Sequence, residues 1–304
     1  MLSSLFQSSY RQSLKHYKLF YDDLCHYGNP ASKHIFYFVP GIDGTCGQIR
    51  FCLSSIVRVF GPDVFIKCLL LDEFSAQKPI WEKYTIPNII KKKEKIVADL
   101  NSLADGYERI TIVCSSNGFY DLLFAYGELL ETVKQKAELL WVAVAPDRFA
   151  PTLWETVFYR INGHTHEGYK WWAAPEHNLF KWINPELSKT VTWKRQGLKK
   201  VFCKNDIESR FRCLGFQWAY NSIDACNDIL GYICRHSSYP LPLKSYALVA
   251  TKDGYWQGKP VSAIDQLLEK YLTQRQVLYK PASHLWVVVP DNAGAILTMV
   301  RDGR

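Results

Sequence analysis

A serine serves as a nucleophile only when its hydroxyl stands clear of the backbone and within reach of a base. The passage Ile110-Thr111-Ile112-Val113-Cys114-Ser115-Ser116-Asn117-Gly118 offers such a position. A β-branched apolar run ends there at small residues and passes directly into a helical pattern from about Phe119. Cys114 and Gly118 lie two residues either side of Ser116 and leave room for a sharp strand-to-helix turn. The N–H groups that open the helix then face the negative charge that develops on a carbonyl under attack. Serine and glycine also make ordinary turns, and Ser115 is a neighbouring candidate. Only Ser116 has a glycine two residues on.

Such a hydroxyl needs a base, and the base needs an acid to orient it. His284, in Ala282-Ser283-His284-Leu285, is the only histidine beyond His236, and it sits between a short apolar strand and the final helix. Two carboxylates compete for the third role. Asp253 lies just past the run Tyr246–Ala250, on a turn closed by Gly254; Asp147 ends the run that follows the helix after Ser116. An Asp-Gly pair also makes a plain turn. A glycine loop, Val39-Pro40-Gly41-Ile42-Asp43-Gly44-Thr45, follows another buried run, at the same sheet edge as Ser116.

Taken together, these segments resemble the α/β-hydrolase family. The Ser116 turn resembles its Gly-x-Ser-x-Gly nucleophile elbow, with Cys114 in place of the first glycine. The Pro40-Gly41 loop resembles the family's oxyanion loop, which implies that the backbone N–H groups of Ile42 and Asn117 hold the oxyanion. Asp253 matches the usual position of the acid, whereas Asp147 matches the position used by some members, certain thioesterases among them. The chain order Ser116, Asp253, His284 is the one expected of that fold. The resemblance implies a serine hydrolase acting on an ester or thioester through an acyl-enzyme, with no cofactor. An acyltransferase on the same triad and a non-catalytic binding protein of the same fold are the alternatives.

The elements that must position these residues alternate. Strands are expected at His34–Val39, Val64–Leu71, Arg109–Cys114 and Leu139–Ala145, with helices at Gln48–Phe60, Ile86–Ala104 and Phe119–Lys136 between them. The first thirty or so residues read as an amphipathic helix ending in the turn Tyr27-Gly28-Asn29-Pro30. The rhythm resumes after Pro240 with a strand at Ser245–Ala250, a helix at Val261–Leu272, a short strand at Val277–Tyr279 and a helix from about Asn292. Strand–helix alternation predicts a mostly parallel sheet flanked by helices, with the site at the carboxyl ends of the strands. Residues 148–239 break the pattern and are rich in Trp, Tyr and Phe. They are expected to form a helical cap inserted into a core of residues 1–147 and 240–304, and the aromatics suit an acyl pocket.

Composition narrows the remaining classes. With 48% hydrophobic and 22% charged residues, the 304-residue chain carries enough apolar material for a full core. A formal charge of +8 is moderate for this length. Part of it lies in Lys91-Lys92-Lys93 and in Lys194-Arg195 with Lys199-Lys200, expected as solvated helix faces, with contact to an anionic membrane as the lesser reading. No nucleic-acid motif is present. Nine cysteines without CxxC spacing suit a reducing compartment better than a disulfide framework. Met1–Leu19 lacks the order of a secretory signal, and no apolar stretch reaches the roughly 20 residues of a membrane span. A soluble cytoplasmic protein is therefore expected. His164, His166 and His177 read as loop histidines rather than metal ligands.

Overall fold

Strands covered on both faces carry unbroken apolar runs, because neither side meets water. The computed structural model, which describes residues 26–41, 50–69, 84–149, 220–253, 256, 259–282, 284 and 290–303, turns those runs into one seven-stranded sheet. Its strands are β1 (His26–Gly28), β2 (His34–Val39), β3 (Phe65–Cys68), β4 (Arg109–Ser115), β5 (Ala137–Val142), β6 (Leu241–Ala250) and β7 (Leu272–Lys280). They lie in the order β1-β3-β2-β4-β5-β6-β7, and every pairing is parallel except that of β1 with β3.

The described helices are α1 (Arg50–Phe60), α2 (Ile86–Asn101), α3 (Gly118–Tyr126), α4 (Glu131–Lys136), α5 (Tyr220–Arg235), α6 (Val261–Tyr271) and α7 (Pro290–Asp302). Side chains alternate across the sheet with a period of two. Ile35, Tyr37, Ile112, Cys114 and Trp141 join one buried layer with α2, α3, α5 and α6. Phe36, Phe38, Val113 and Leu140 join the other with α1 and α7. Placing the site follows from topology. The chain leaves β2 for β3 on one side, then returns past β2 to β4 on the other. The crevice at such a reversal, beyond the strands' carboxyl ends, is where open α/β sheets bind ligands.

Several elements differ from expectation for local reasons. The helix expected over 119–136 is two helices. Leu130 turns extended (φ −59°, ψ 145°), and its N–H is taken by Asn101 Oδ1 at 2.9 Å. The strand expected over 139–145 stops at Val142, because Ala143 adopts φ +54°. β6 starts earlier than expected, at Leu241. Pro242, which lacks an N–H, sits where the β6–β7 register shifts between Leu241 and Lys244. β7 is nine residues rather than three; its polar half, Thr273-Gln274-Arg275, pairs along β6 at the margin of the sheet. His26–Gly28, expected as helix end and turn, pairs antiparallel with Phe65–Lys67.

The lysine run on α2 is not a uniformly solvated face. Lys92 is 3% exposed, and its Nζ meets Asp121 Oδ2 at 2.5 Å, while Lys93 meets Glu128 at 2.6 Å. A buried cation needs a partner, and α3 supplies it. Cys52, Cys114, Cys226 and Cys234 are free thiols. Among the described residues no helix is long and apolar enough to cross a membrane. The second basic run, the three histidines 164, 166 and 177, and most of the expected cap lie outside the described residues. At the end of the expected cap span, α5 packs Cys226, Ile229, Leu230 and Ile233 into the same buried layer as α3.

Candidate active site

β4 ends at Ser115, and the next residue begins the turn into α3. Ser116 holds φ +52° although it has a side chain, a conformation strained for L-residues. That turn lifts the Ser116 side chain above the sheet. The space for it comes from two glycines, Gly41 packed against Ser115 and Ser116, and Gly118 packed against Val39 and Pro40. A Cβ on Gly118 would lie 2.4 Å from Val39 O and 2.8 Å from Pro40 O; one on Gly41 would lie 2.6 Å from Ser115 O and 2.9 Å from Ser116 Cβ. All four contacts are shorter than real Cβ atoms tolerate, so glycine is required at both positions by close approach rather than by dihedral freedom.

His284 reaches this turn from the segment after β7. Its Nε2 lies 2.8 Å from Ser116 Oγ, and its Nδ1 is hydrogen-bonded to Asp253 Oδ2. Asp253, just past β6, is 6% exposed and His284 is 8% exposed. An ionised carboxylate only accepts, so Nδ1 carries the proton and Nε2 presents its lone pair to the serine hydroxyl. Three side chains from distant parts of the chain thus form one hydrogen-bonded series. Asp147 is engaged elsewhere: its Oδ2 accepts from Lys270 Nζ at 2.7 Å and from the Tyr271 hydroxyl at 2.9 Å.

Asn117 is buried and opens α3, with φ −69° and ψ −12°. Its side chain does not cap the helix, and neither amide atom has a hydrogen-bond partner. The first N–H groups of a helix have no partner within it, and those of α3 follow directly on Ser116 in the chain. Ile42, the other expected oxyanion donor, lies outside the described residues. Cys114, directly beneath the turn, is no competing nucleophile. Burial pushes its thiol well up, and the nearby Asp121 adds to the effect, so it packs as a small protonated hydrophobe.

No protein-family model and no curated protein sequence matches the chain. Solved structures do. An epoxide hydrolase from Solanum tuberosum, in a point-mutant form, superposes with a TM-score of 0.55 at 13% identity, covering 91% of this chain and 94% of its own. The epoxide hydrolase of Vigna radiata gives 0.52 at 12% identity, covering 91% and 93%. A metagenome-derived lipolytic enzyme gives 0.50 at 12% identity, covering 92% and 98%. The chain has the α/β-hydrolase fold. Within that fold, Ser116 stands on the strand-to-helix turn after β4, Asp253 after β6 and His284 after β7.

Sequence reasoning missed two tryptophans. Trp141 donates its indole N–H to Ser116 O at 2.8 Å, and Trp256 donates its own to Val144 O at 3.0 Å. A signal was present. A tryptophan inside a buried strand run must find an acceptor for its N–H, and Trp141 lies in the run that neighbours the nucleophile strand.

Proposed function

We propose that the chain is a serine hydrolase that cleaves a carboxylic ester or thioester through an acyl-enzyme on Ser116. The observation that carries this reading is the unbroken hydrogen-bonded series from Ser116 Oγ through His284 to Asp253. His284 Nε2 takes the hydroxyl proton as Ser116 Oγ attacks the carbonyl carbon, and the Asp253 carboxylate orients the ring and steadies its cation. The N–H of Asn117, with that of Ile42, holds the oxygen as it becomes negative. His284 then returns its proton to the departing alcohol or thiol. A water, deprotonated in turn by His284, attacks the acyl-serine and frees the acid and Ser116 Oγ.

The chemistry of a serine nucleophile separates this reading from epoxide opening, the reaction named for two of the structural neighbours. Attack of a serine oxygen on an epoxide carbon leaves a dialkyl ether, which has no carbonyl for water to attack, so the enzyme would turn over once. Attack on an ester leaves another ester, which water can cleave. An acyl or lipid-like substrate is favoured by the aromatic-rich segment 148–239 and fits the lipolytic neighbour.

Labelling with a fluorophosphonate, beside Ser116→Ala, tests the reading, together with hydrolysis of p-nitrophenyl esters of increasing acyl length. Label on wild type and none on Ser116→Ala is expected, with turnover rising beyond acetyl. No label on folded wild type points instead to a binding protein. Product that appears only when an alcohol or amine acceptor is added points to an acyltransferase.

A further inference from the structure

The strained φ of Ser116 persists only where its surroundings over-determine it. Both main-chain groups of Ser116 are tied to consecutive residues of β5. Its N–H donates to Val142 O at 2.9 Å, and its carbonyl accepts the Trp141 indole N–H at 2.8 Å. The other donor to that carbonyl, Phe119 N–H, stands farther off at 3.5 Å. Trp141 is fully buried, and its ring stacks on Phe119 at 3.9 Å and 14°. The donor is thereby clamped between strand and helix.

The continuation of the same strand reaches the acid. Trp256 donates its indole N–H to Val144 O at 3.0 Å, and its backbone N–H to Asp253 O at 3.2 Å. The Tyr120 hydroxyl on α3 donates to Ala145 O at 3.0 Å. Ala143, between these acceptors, fixes its own N–H on Leu248 O of β6 at 3.0 Å. Three carbonyls in a row of four are therefore held by groups of the nucleophile turn, its helix or the acid turn.

We propose that residues Trp141–Ala145, which include no reacting group, are a common anchor that sets the separation of Ser116 from Asp253. The indole N–H groups of Trp141 and Trp256 are its positioning donors. One imidazole must span hydroxyl and carboxylate, so only a narrow range of separations lets His284 bond both. Tying both turns to one strand end fixes that separation before substrate arrives. The inference rests on the hydrolase reading above.

Trp141→Phe and Trp256→Phe each keep an aromatic ring and delete the N–H. Each is expected to lower kcat on a p-nitrophenyl ester, and the rate of fluorophosphonate labelling, about tenfold with KM unchanged. Thr111→Val serves as the reference. It loses buried hydrogen bonds at the opposite end of β4 and is expected to lower Tm without changing the labelling rate. Tryptophan variants that lower Tm but label and turn over at the wild-type rate overturn the anchor while leaving the hydrolase reading in place. A wild type that takes no label overturns both. Should Trp141→Phe fail to fold, 3-benzothienylalanine at position 141, with sulfur in place of the N–H, applies the same criterion at nearly unchanged shape.

Discussion

A histidine, a hydroxyl and a carboxylate meet at each end of this sheet, in different orders. At the carboxyl end of the strands the imidazole is in the middle, between Ser116 and Asp253. At the amino end the hydroxyl is in the middle. Thr111 Oγ1 donates to Glu138 Oε1 at 2.6 Å and stands 2.8 Å from His34 Nε2. Glu138 also accepts from Arg109 Nε at 2.8 Å and Nη2 at 3.0 Å. With its one proton committed to Glu138, Thr111 accepts from His34, so the histidine cannot act as its base. Thr111 is also fully buried on a regular strand, whereas Ser116 stands on a strained turn. The same functional groups give structure at one end and a candidate catalyst at the other. Order and backbone make the difference.

The largest expected contrast comes from the two hydroxyls. Ser116→Ala should lower ester turnover by about 10⁴-fold or more and abolish labelling, whereas Thr111→Val should leave activity within about threefold. Turnover that is lost equally in both would erase the distinction between the two ends. The carboxylates come next. Asp253→Asn should lower kcat by about 10³- to 10⁴-fold through loss of the histidine's orientation. Glu138→Gln should leave kcat nearly unchanged and show instead as a loss of about 1–3 kcal/mol in urea unfolding, since Arg109 loses its charged partner. Asp147→Asn, against Lys270 and Tyr271, belongs with Glu138 and should also keep kcat within about threefold.

Smaller effects sharpen the role of the backbone. Gly118→Ala forces Val39 and Pro40 to move and should lower kcat by about 10- to 100-fold, with a stability loss of about 1–3 kcal/mol by thermal unfolding. The smallest concerns His34. Burial, with Arg109 beside it, lowers its pKa to about 3. Below the ordinary value of 6.5 the unfolded chain takes a proton that the folded one refuses, so stability falls as pH drops from that value toward 3. His34→Gln keeps a donor for Thr111 and removes the titration. Between pH 7 and pH 5 the wild type should lose about 1 kcal/mol more than the variant in urea unfolding, less than the full linkage slope because the ring is partly exposed.

The buried strands and the three candidate site residues were legible because each leaves a mark in the sequence pattern. β2, β4 and β5 are apolar beyond the polar cluster at their amino ends, since both faces are covered. Ser116 and Asp253 sit where such runs stop, and His284 follows the short apolar stretch Val277–Tyr279. β7 was mostly hidden because strands at a sheet margin need only backbone pairing, and Thr273-Gln274-Arg275 carries no apolar pattern. Lys92 was misread because the partner that permits its burial, Asp121, lies on another helix. Asp253 and Asp147 read alike in sequence, each an aspartate at the end of a strand. Their difference is one of direction in space, toward His284 or toward Lys270. The indole donors were missed because a hydrogen bond from Trp141 to the Ser116 carbonyl joins two strands that only the folded sheet brings side by side.

The interlock of Gly41 with the nucleophile turn, and of Gly118 with Val39 and Pro40, has a consequence for redesign. Neither loop has space for so much as an added methyl group, and neither can shift without pushing the other. New selectivity would have to be engineered through side chains delivered by other segments, while this pair of turns is inherited unchanged as a single rigid part.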